Sequence, residues 1–200
     1  DANGLDAGTA IDVGTGSTGI AFDSANNRMY VTNFNGGTVS VIDTSDYSVI
    51  DANGDDAGTA IDVGTGPYGI AFDSVNNRMY VTNSTTTTVS VIDTTTNAVT
   101  DIAVGGYPAV IAFDSVNNRM YVTNYVDGTV LVIDTTTNAV TDTIAVGTNP
   151  WGIAFDSANN RMYVVNNNDG TVSVIDTTTN AVTDTIAVGA GPAGIAFDSA

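Results

Sequence analysis

The sequence predicts an all-β fold assembled from repeated four-stranded antiparallel units. Three observations carry that expectation. Across 200 residues there is no Cys, His, Lys, Glu or Gln; all 22 acidic residues are Asp and all four basic residues are Arg. Glu, Lys and Gln are strong helix formers, whereas the abundant Thr, Val and Ile favour strands, so both trends point to β structure. A segment of the form IAFDS-x-NNRMYV recurs at 20–31, 70–81, 111–122 and 153–164, and a fifth copy starts at Ile195. Within each copy, clusters of Ser, Thr, Asn and Asp cut the chain into short strand-length runs.

The unit at 67–106 shows each element in order. Strand a is Gly-Ile-Ala-Phe at 69–72, strand b Arg-Met-Tyr-Val-Thr-Asn at 78–83, strand c Thr-Val-Ser-Val-Ile-Asp at 88–93, and strand d spans 98–105. Strand c is nearly all apolar through Val89, Val91 and Ile92, as a strand covered on both faces should be. The Asp of strand a falls at 23, 73, 114, 156 and 198, giving intervals of 50, 41, 42 and 42 residues. Four strands per ~42 residues suit a β-propeller blade, because solenoid coils usually take ~20–30 residues. The first interval is longer because residues 44–66 read TSDYSVIDANGDDAGTAIDVGTG where other units read TTTNAVTDTIAVG, and residues 1–16 nearly duplicate 51–66.

The expected organisation is four full repeats plus a split fifth. The outer strand of a preceding blade lies at 1–16, blade 1 with a c–d insertion at 17–66, blade 2 at 67–106, blade 3 at 107–148, blade 4 at 149–190, and the inner strand of a next blade at 191–200. A chain that opens on strand d and closes on strand a is expected to belong to a longer propeller, or to be completed by another chain in a head-to-tail assembly.

The blocks MYVTN (29–33, 79–83, 120–124), VSVIDT and TIAVG resemble the YVTN-type β-propeller repeat over essentially the whole chain. One copy departs from the motif: Tyr163-Val164-Val165-Asn166 has Val for Thr. The resemblance implies a propeller fold and occurrence in surface-layer and other extracellular proteins.

The recurring polar residues read as scaffold. Asp23/Arg28, Asp73/Arg78, Asp114/Arg119 and Asp156/Arg161 flank the a–b loops, where a hairpin would set each pair opposite as a cross-strand ion pair. The Asp ending strand c (43, 93, 134, 176) and the Asn ending strand b (33, 83, 124, 166) are placed to cap the turns that follow them.

The missing residue types narrow the chemistry. Without His or Cys the usual zinc and thiol sites and any Ser-His-Asp arrangement are excluded, and without Lys so is Schiff-base catalysis. No spacing singles out a pair of carboxylates, so the chain reads as a non-enzyme with no cofactor other than calcium. Asp51-Ala-Asn53-Gly-Asp55 sets oxygen ligands at alternate loop positions as calcium loops do. Asp56 stands where such a loop wants Gly, and the other reading is a polar surface loop inserted between strands c and d.

Variation between units concentrates in the d–a and b–c loops, which share one end of a propeller. Phe34, Tyr68, Tyr107, Tyr125 and Trp151 lie there, either as a platform for a glycan or protein ligand, or packed against the adjacent blade or into the central channel. Asn83-Ser84-Thr85 is the one N-x-[ST] sequon and marks Asn83 as a glycosylation candidate.

The functional expectation is a structural or adhesive protein of the cell surface or extracellular space: a coat, stalk or filament module. A glycan- or protein-binding module using the aromatic loop face is the alternative. Partners would be copies of itself, other surface proteins or glycans. A net charge of −18 disfavours nucleic acid, and no apolar run reaches membrane-spanning length.

Overall fold

A computed structural model describes residues 10–50 and 60–198. Blade 1 comprises β1 (Ser17–Asp23), β2 (Arg28–Asn33) and β3 (Thr38–Asp43), with an outer edge in two pieces, β4 (Val49–Ile50) and β5 (Ile61–Asp62). Blade 2 is β6 (Pro67–Asp73), β7 (Arg78–Asn83), β8 (Thr88–Asp93) and β9 (Val99–Ala103). Blade 3 is β10 (Pro108–Asp114), β11 (Arg119–Asn124), β12 (Thr129–Asp134) and β13 (Ala139–Ala145). Blade 4 is β14 (Pro150–Asp156), β15 (Arg161–Asn166), β16 (Thr171–Asp176) and β17 (Ala181–Ala187). Each sheet is antiparallel in sequence order. Residues 10–14 and 192–198 lie outside any strand.

The insertion in blade 1 sits elsewhere than expected. The c–d turn closes normally, with the Tyr47 N–H donating to the Asp43 carbonyl at 2.9 Å. The outer edge is divided instead: β4 pairs with one half of β3 (Val41 with Ile50) and β5 with the other (Val39 with Ile61). An outermost strand tolerates this because no further strand depends on its free edge.

The period of two along strand b builds the blade junctions. In β7, Met79 and Val81 point back to Tyr30, Val39, Val41 and Ile61 of blade 1. Tyr80 points forward to Ile111, Met120, Val122 and Ile133 of blade 3. Tyr121 does the same towards Ile153, Met162 and Ile175 of blade 4. The core is thus a series of apolar layers between sheets, and strand c is buried on both sides as predicted (Val89, Ser90, Val91 and Ile92).

Polar groups on the forward face lock each junction. The Tyr80 hydroxyl donates to Asn138 Oδ1 at 2.6 Å, and that of Tyr121 to Asn180 Oδ1 at 2.7 Å. The motif Thr acts at a bulge. In β6 the pair Tyr68-Gly69 lies opposite the single residue Thr82, whose Oγ1 accepts the Gly69 N–H at 2.8 Å and donates to the Ala109 carbonyl of blade 3 at 2.7 Å. Thr32 and Thr123 make the same link, to the carbonyls of Tyr68 and Trp151 at 2.9 and 3.0 Å. The glycine at the bulge is required: a Cβ on Gly69 would stand 2.6 Å from the Ala109 oxygen.

The Asp–Arg hairpin ion pairs do not form, although the register sets Asp73 opposite Arg78. The carboxylate is spent on its own turn. Asp73 Oδ1 accepts the N–H groups of Val75 and Asn76 at 2.9 and 3.1 Å, and Oδ2 accepts the Asn76 amide at 2.8 Å. Asp23, Asp114 and Asp156 are bonded in the same way. The arginine is freed to cross the junction: Arg78 donates to the Thr135 carbonyl at 3.0 Å and Arg119 to that of Thr177 at 2.9 Å. The one ion pair among the described residues joins Arg161 to Asp176 within blade 4.

Candidate functional site

The inner strands of all four blades, together with residues 193–195, surround a cavity of about 310 Å³. Ile20, Ile70, Ile153 and Ile195 give it an aliphatic wall, and Tyr68 and Trp151 line it as well. Tyr68 and Trp151 each occupy the first position of a strand-a bulge, and bulges re-aim side chains out of the regular alternation. The bulge at which Thr82 bridges two blades therefore also delivers the Tyr68 ring to the cavity, and the bulge opposite Val165 delivers that of Trp151.

Four of the five predicted aromatic residues form a continuous chain of edge-to-face contacts. The Tyr68 and Trp151 rings are 5.2 Å apart at 69°, Trp151 and Tyr125 5.4 Å at 83°, and Tyr125 and Tyr107 6.0 Å at 62°. Such pairs contribute roughly 0.5–1.5 kcal/mol each beyond their buried area. All four side chains remain partly exposed. Backbone contacts hold the loops that carry them: Tyr125 N–H donates to the Tyr107 carbonyl at 2.9 Å, and the Asn149 amide donates to the Tyr125 carbonyl at 3.1 Å. Phe34 stands apart, half-buried in blade 1 and without a ring contact to these four.

The other candidates fare differently. Asn83 is fully buried, and its amide nitrogen donates to Thr88 Oγ1 at 3.0 Å and Ser90 Oγ at 2.8 Å. The sequon is closed to glycosylation in the folded chain, because the acceptor nitrogen is a core donor. The same geometry corrects the expected capping role of the strand-b Asn: Asn33, Asn83 and Asn166 tie strand b to strand c through their side chains. The loop is closed by the Asn backbone carbonyl, which accepts from Gly37, Gly128 or Gly170 in three of the blades. The calcium candidates Asp51, Asn53 and Asp55 lie outside the described residues.

The strand-c carboxylates do cap their turns. Asp93 Oδ1 accepts the Thr95 and Thr96 N–H groups, both at 2.9 Å, and Asp134 and Asp176 repeat the pattern. The Thr96 and Thr137 backbone donors hold Asp93 and Asp134 below the usual carboxylate range, and the Thr178 donor does so for Asp176. For Asp43 the Ser45 hydroxyl leads, supported by the Ser45 N–H. Among the described residues no three carboxylates gather in a metal-binding group.

What sequence reasoning missed was the forward-facing trio of Arg, Tyr and Thr on strand b. The alternation Arg78-x-Tyr80-x-Thr82 was its available signal, since a period of two puts all three on one face.

No family model matches the chain, and no curated protein matches it in sequence. Among solved structures it is similar to Kuenenia stuttgartiensis hydrazine synthase, with a TM-score of 0.78 and 20% identity over 92% of this chain and 53% of that one. It is also similar to a chain of a nidogen/laminin complex, with a TM-score of 0.75 and 16% identity over 92% of this chain and 69% of the other. The fold is a β-propeller. The chain spans about half the length of the hydrazine synthase chain it matches, and at these identities the likeness concerns the fold alone. Among the described residues no helix is long and apolar enough to cross a membrane.

Proposed function

We propose that this chain is a non-catalytic propeller module of a cell-surface or extracellular protein, structural or adhesive in role, which makes its contacts through the aromatic mouth of its central cavity. One observation carries the reading. The residues repeated in every unit are engaged in turns and blade junctions, while Tyr68, Tyr107, Tyr125 and Trp151, which differ from unit to unit, gather in one place. A contact site is made from what varies on a rigid scaffold. The resemblance of the repeat to the YVTN type and the acidic, Lys-free composition support a surface location.

A glycan or a protein suits such a mouth, because aromatic side chains offer flat area at low entropic cost. The location is tested by antibody labelling of intact source cells: signal without permeabilisation supports it, and signal only after lysis sinks it. The contact role is tested on glycan arrays and with surface extracts, comparing the intact chain with Trp151→Ala. Loss of binding on substitution supports the mouth, and retained binding removes it.

A further inference from the structure

We propose that the forward face of blade 4 docks on the rear face of blade 1 of a second copy of this chain, so that copies associate head to tail through a junction of the kind that joins blades within one chain. Three such junctions lie within the chain. In each, the forward-facing Tyr of strand b shares an apolar layer with the rear-facing Met of the next strand b: Tyr30 with Met79, Tyr80 with Met120 and Tyr121 with Met162. All six side chains are fully buried.

Two halves of this layer stand uncovered. On blade 4, Tyr163 is only half-buried, and Ile186 is 43% exposed where its counterpart Ile144 in blade 3 is 6% exposed. On blade 1, Met29 is half-buried and Phe22 exposed, and Ile20 is 64% exposed where Ile111 and Ile153 in blades 3 and 4 are 5% and 7% exposed. Arg161 reports the same from the polar side. Arg78 and Arg119 donate to carbonyls of the following blade, whereas Arg161 folds back to Asp176 of its own. The two uncovered halves complement each other, because the chain joins such halves three times over.

Residues 193–198 identify what fits on blade 4. They run along β14 in the place of a following inner strand: a Cβ on Gly152 would stand 2.4 Å from the Ala193 oxygen, as one on Gly19 would from that of Tyr68, and one on Gly69 would stand 2.6 Å from that of Ala109. Gly-Ile-Ala-Phe-Asp at 194–198 is identical to 19–23 at the start of blade 1. The same run in blades 2 and 4 is already engaged in internal junctions. The resident segment pairs with no described strand and leaves a cavity of about 270 Å³ beside Tyr163. Blade 1 of a second copy brings the same inner strand with β2 and β3 already paired to it. Exchange therefore keeps the contacts on β14 and adds Met29, Val31 and Ile42 over Tyr163, with burial of apolar surface as the driving force.

Two departures from the repeat make this junction weaker than the internal ones. Val165 stands where Thr32, Thr82 and Thr123 donate to the next inner strand. Tyr47, at a φ of 64°, stands where Asn138 and Asn180 accept a tyrosine hydroxyl. Lacking both hydrogen bonds, the contact between copies is mainly apolar and reversible. Each copy also carries a net charge of −18, so salt that screens the repulsion strengthens the association.

Sedimentation velocity of the intact chain over a range of concentrations tests this. A mass above that of one chain is expected, falling on dilution and rising with sodium chloride. Phe22→Asp and Ile186→Asp each weaken self-association by about tenfold or more, as loss of an apolar anchor does, and circular dichroism checks that both fold. Mixed in equal amounts, the two variants pair again, because one keeps an intact forward face and the other an intact rear face. Ile195→Ser, which loosens the resident segment, strengthens association of the parent chain. A single-chain mass at every concentration overturns the proposal. So does full association of either Asp variant by itself, a mixture that stays unpaired, or weaker association of Ile195→Ser. None of these outcomes involves Trp151 or surface labelling, so failure here is separable from failure of the adhesive role.

Discussion

The hydroxyl of Tyr80 in blade 2 lies 2.6 Å from Oδ1 of Asn138, which closes the c–d turn of blade 3. Asn138 reaches that position with a φ of 57°, in the left-handed region where Asn is one of the few side chains at ease. One residue thus satisfies both the turn and the junction. Tyr80→Phe removes the donor and leaves the Asn oxygen facing an apolar ring, at a cost of about 1–2 kcal/mol. Urea titration should show a lower midpoint with an unchanged slope. A double-mutant cycle with Asn138→Gly should show coupling, whereas Tyr121→Phe, which disturbs the next junction, should add to Tyr80→Phe nearly independently.

Thr82→Val tests the relay at the bulge. The substitution keeps the shape, but it leaves the Gly69 N–H and the Ala109 carbonyl without their hydroxyl partner. Stranding a buried donor costs about 1–3 kcal/mol. Thermal unfolding should show Thr82→Val to be clearly destabilised, and Thr82→Ser should recover most of the loss.

Thr87 offers a gain. It has a φ of 58° in the b–c loop of blade 2, where Gly37, Gly128 and Gly170 take 65–66° in the other units. A β-branched residue is strained there, by about 1–2 kcal/mol, and glycine returns part of that through its greater unfolded-state entropy. Thr87→Gly should therefore raise stability by about 0.5–1 kcal/mol, read as a higher denaturation midpoint.

Two pH effects have opposite signs. Turn donors, the Thr137 N–H first, lower the folded-state pKa of Asp134, so its contribution to stability is present above the unfolded carboxylate range and is lost as the pH falls through its depressed value. Asp134→Asn should be less stable than the parent at neutral pH, and the gap should close in strong acid. Burial raises Tyr30, Tyr80 and Tyr121 to about 12. Their contribution is complete below about 10, the unfolded phenol value, and is lost as the pH rises through the folded one. Tyrosinate absorbance should show these three ionising late, together with alkaline unfolding.

The blade was legible in the sequence because period, turn residues and apolar runs are local signals. Strand b at 78–83 and strand c at 88–93 fall where the pattern places them. The partners of polar groups were not legible, because they depend on what lies a blade away. Asp73 and Arg78 are near in sequence and of opposite charge, yet Asp73 bonds its own turn and Arg78 a carbonyl 57 residues on. Asn83 carries a sequon, but only the structure shows that its amide nitrogen is consumed by Thr88 and Ser90. The aromatic cluster was half legible: the loop face identified the five residues, and the bulges at Tyr68 and Trp151 decided which of them meet.

Arg78, Tyr80 and Thr82 of one strand b donate forward to the c–d turn and inner strand of blade 3, and Arg119, Tyr121 and Thr123 of the next do the same to blade 4. Each unit thus carries one half of the junction on either side of it. When a unit is duplicated or lost by unequal exchange between near-identical gene segments, the halves brought together still match, and no compensating change is needed. Blade number can drift in such a lineage while every interface stays intact. The positions outside the repeat, among them Tyr68, Tyr107, Tyr125 and Trp151, then record which blade is which.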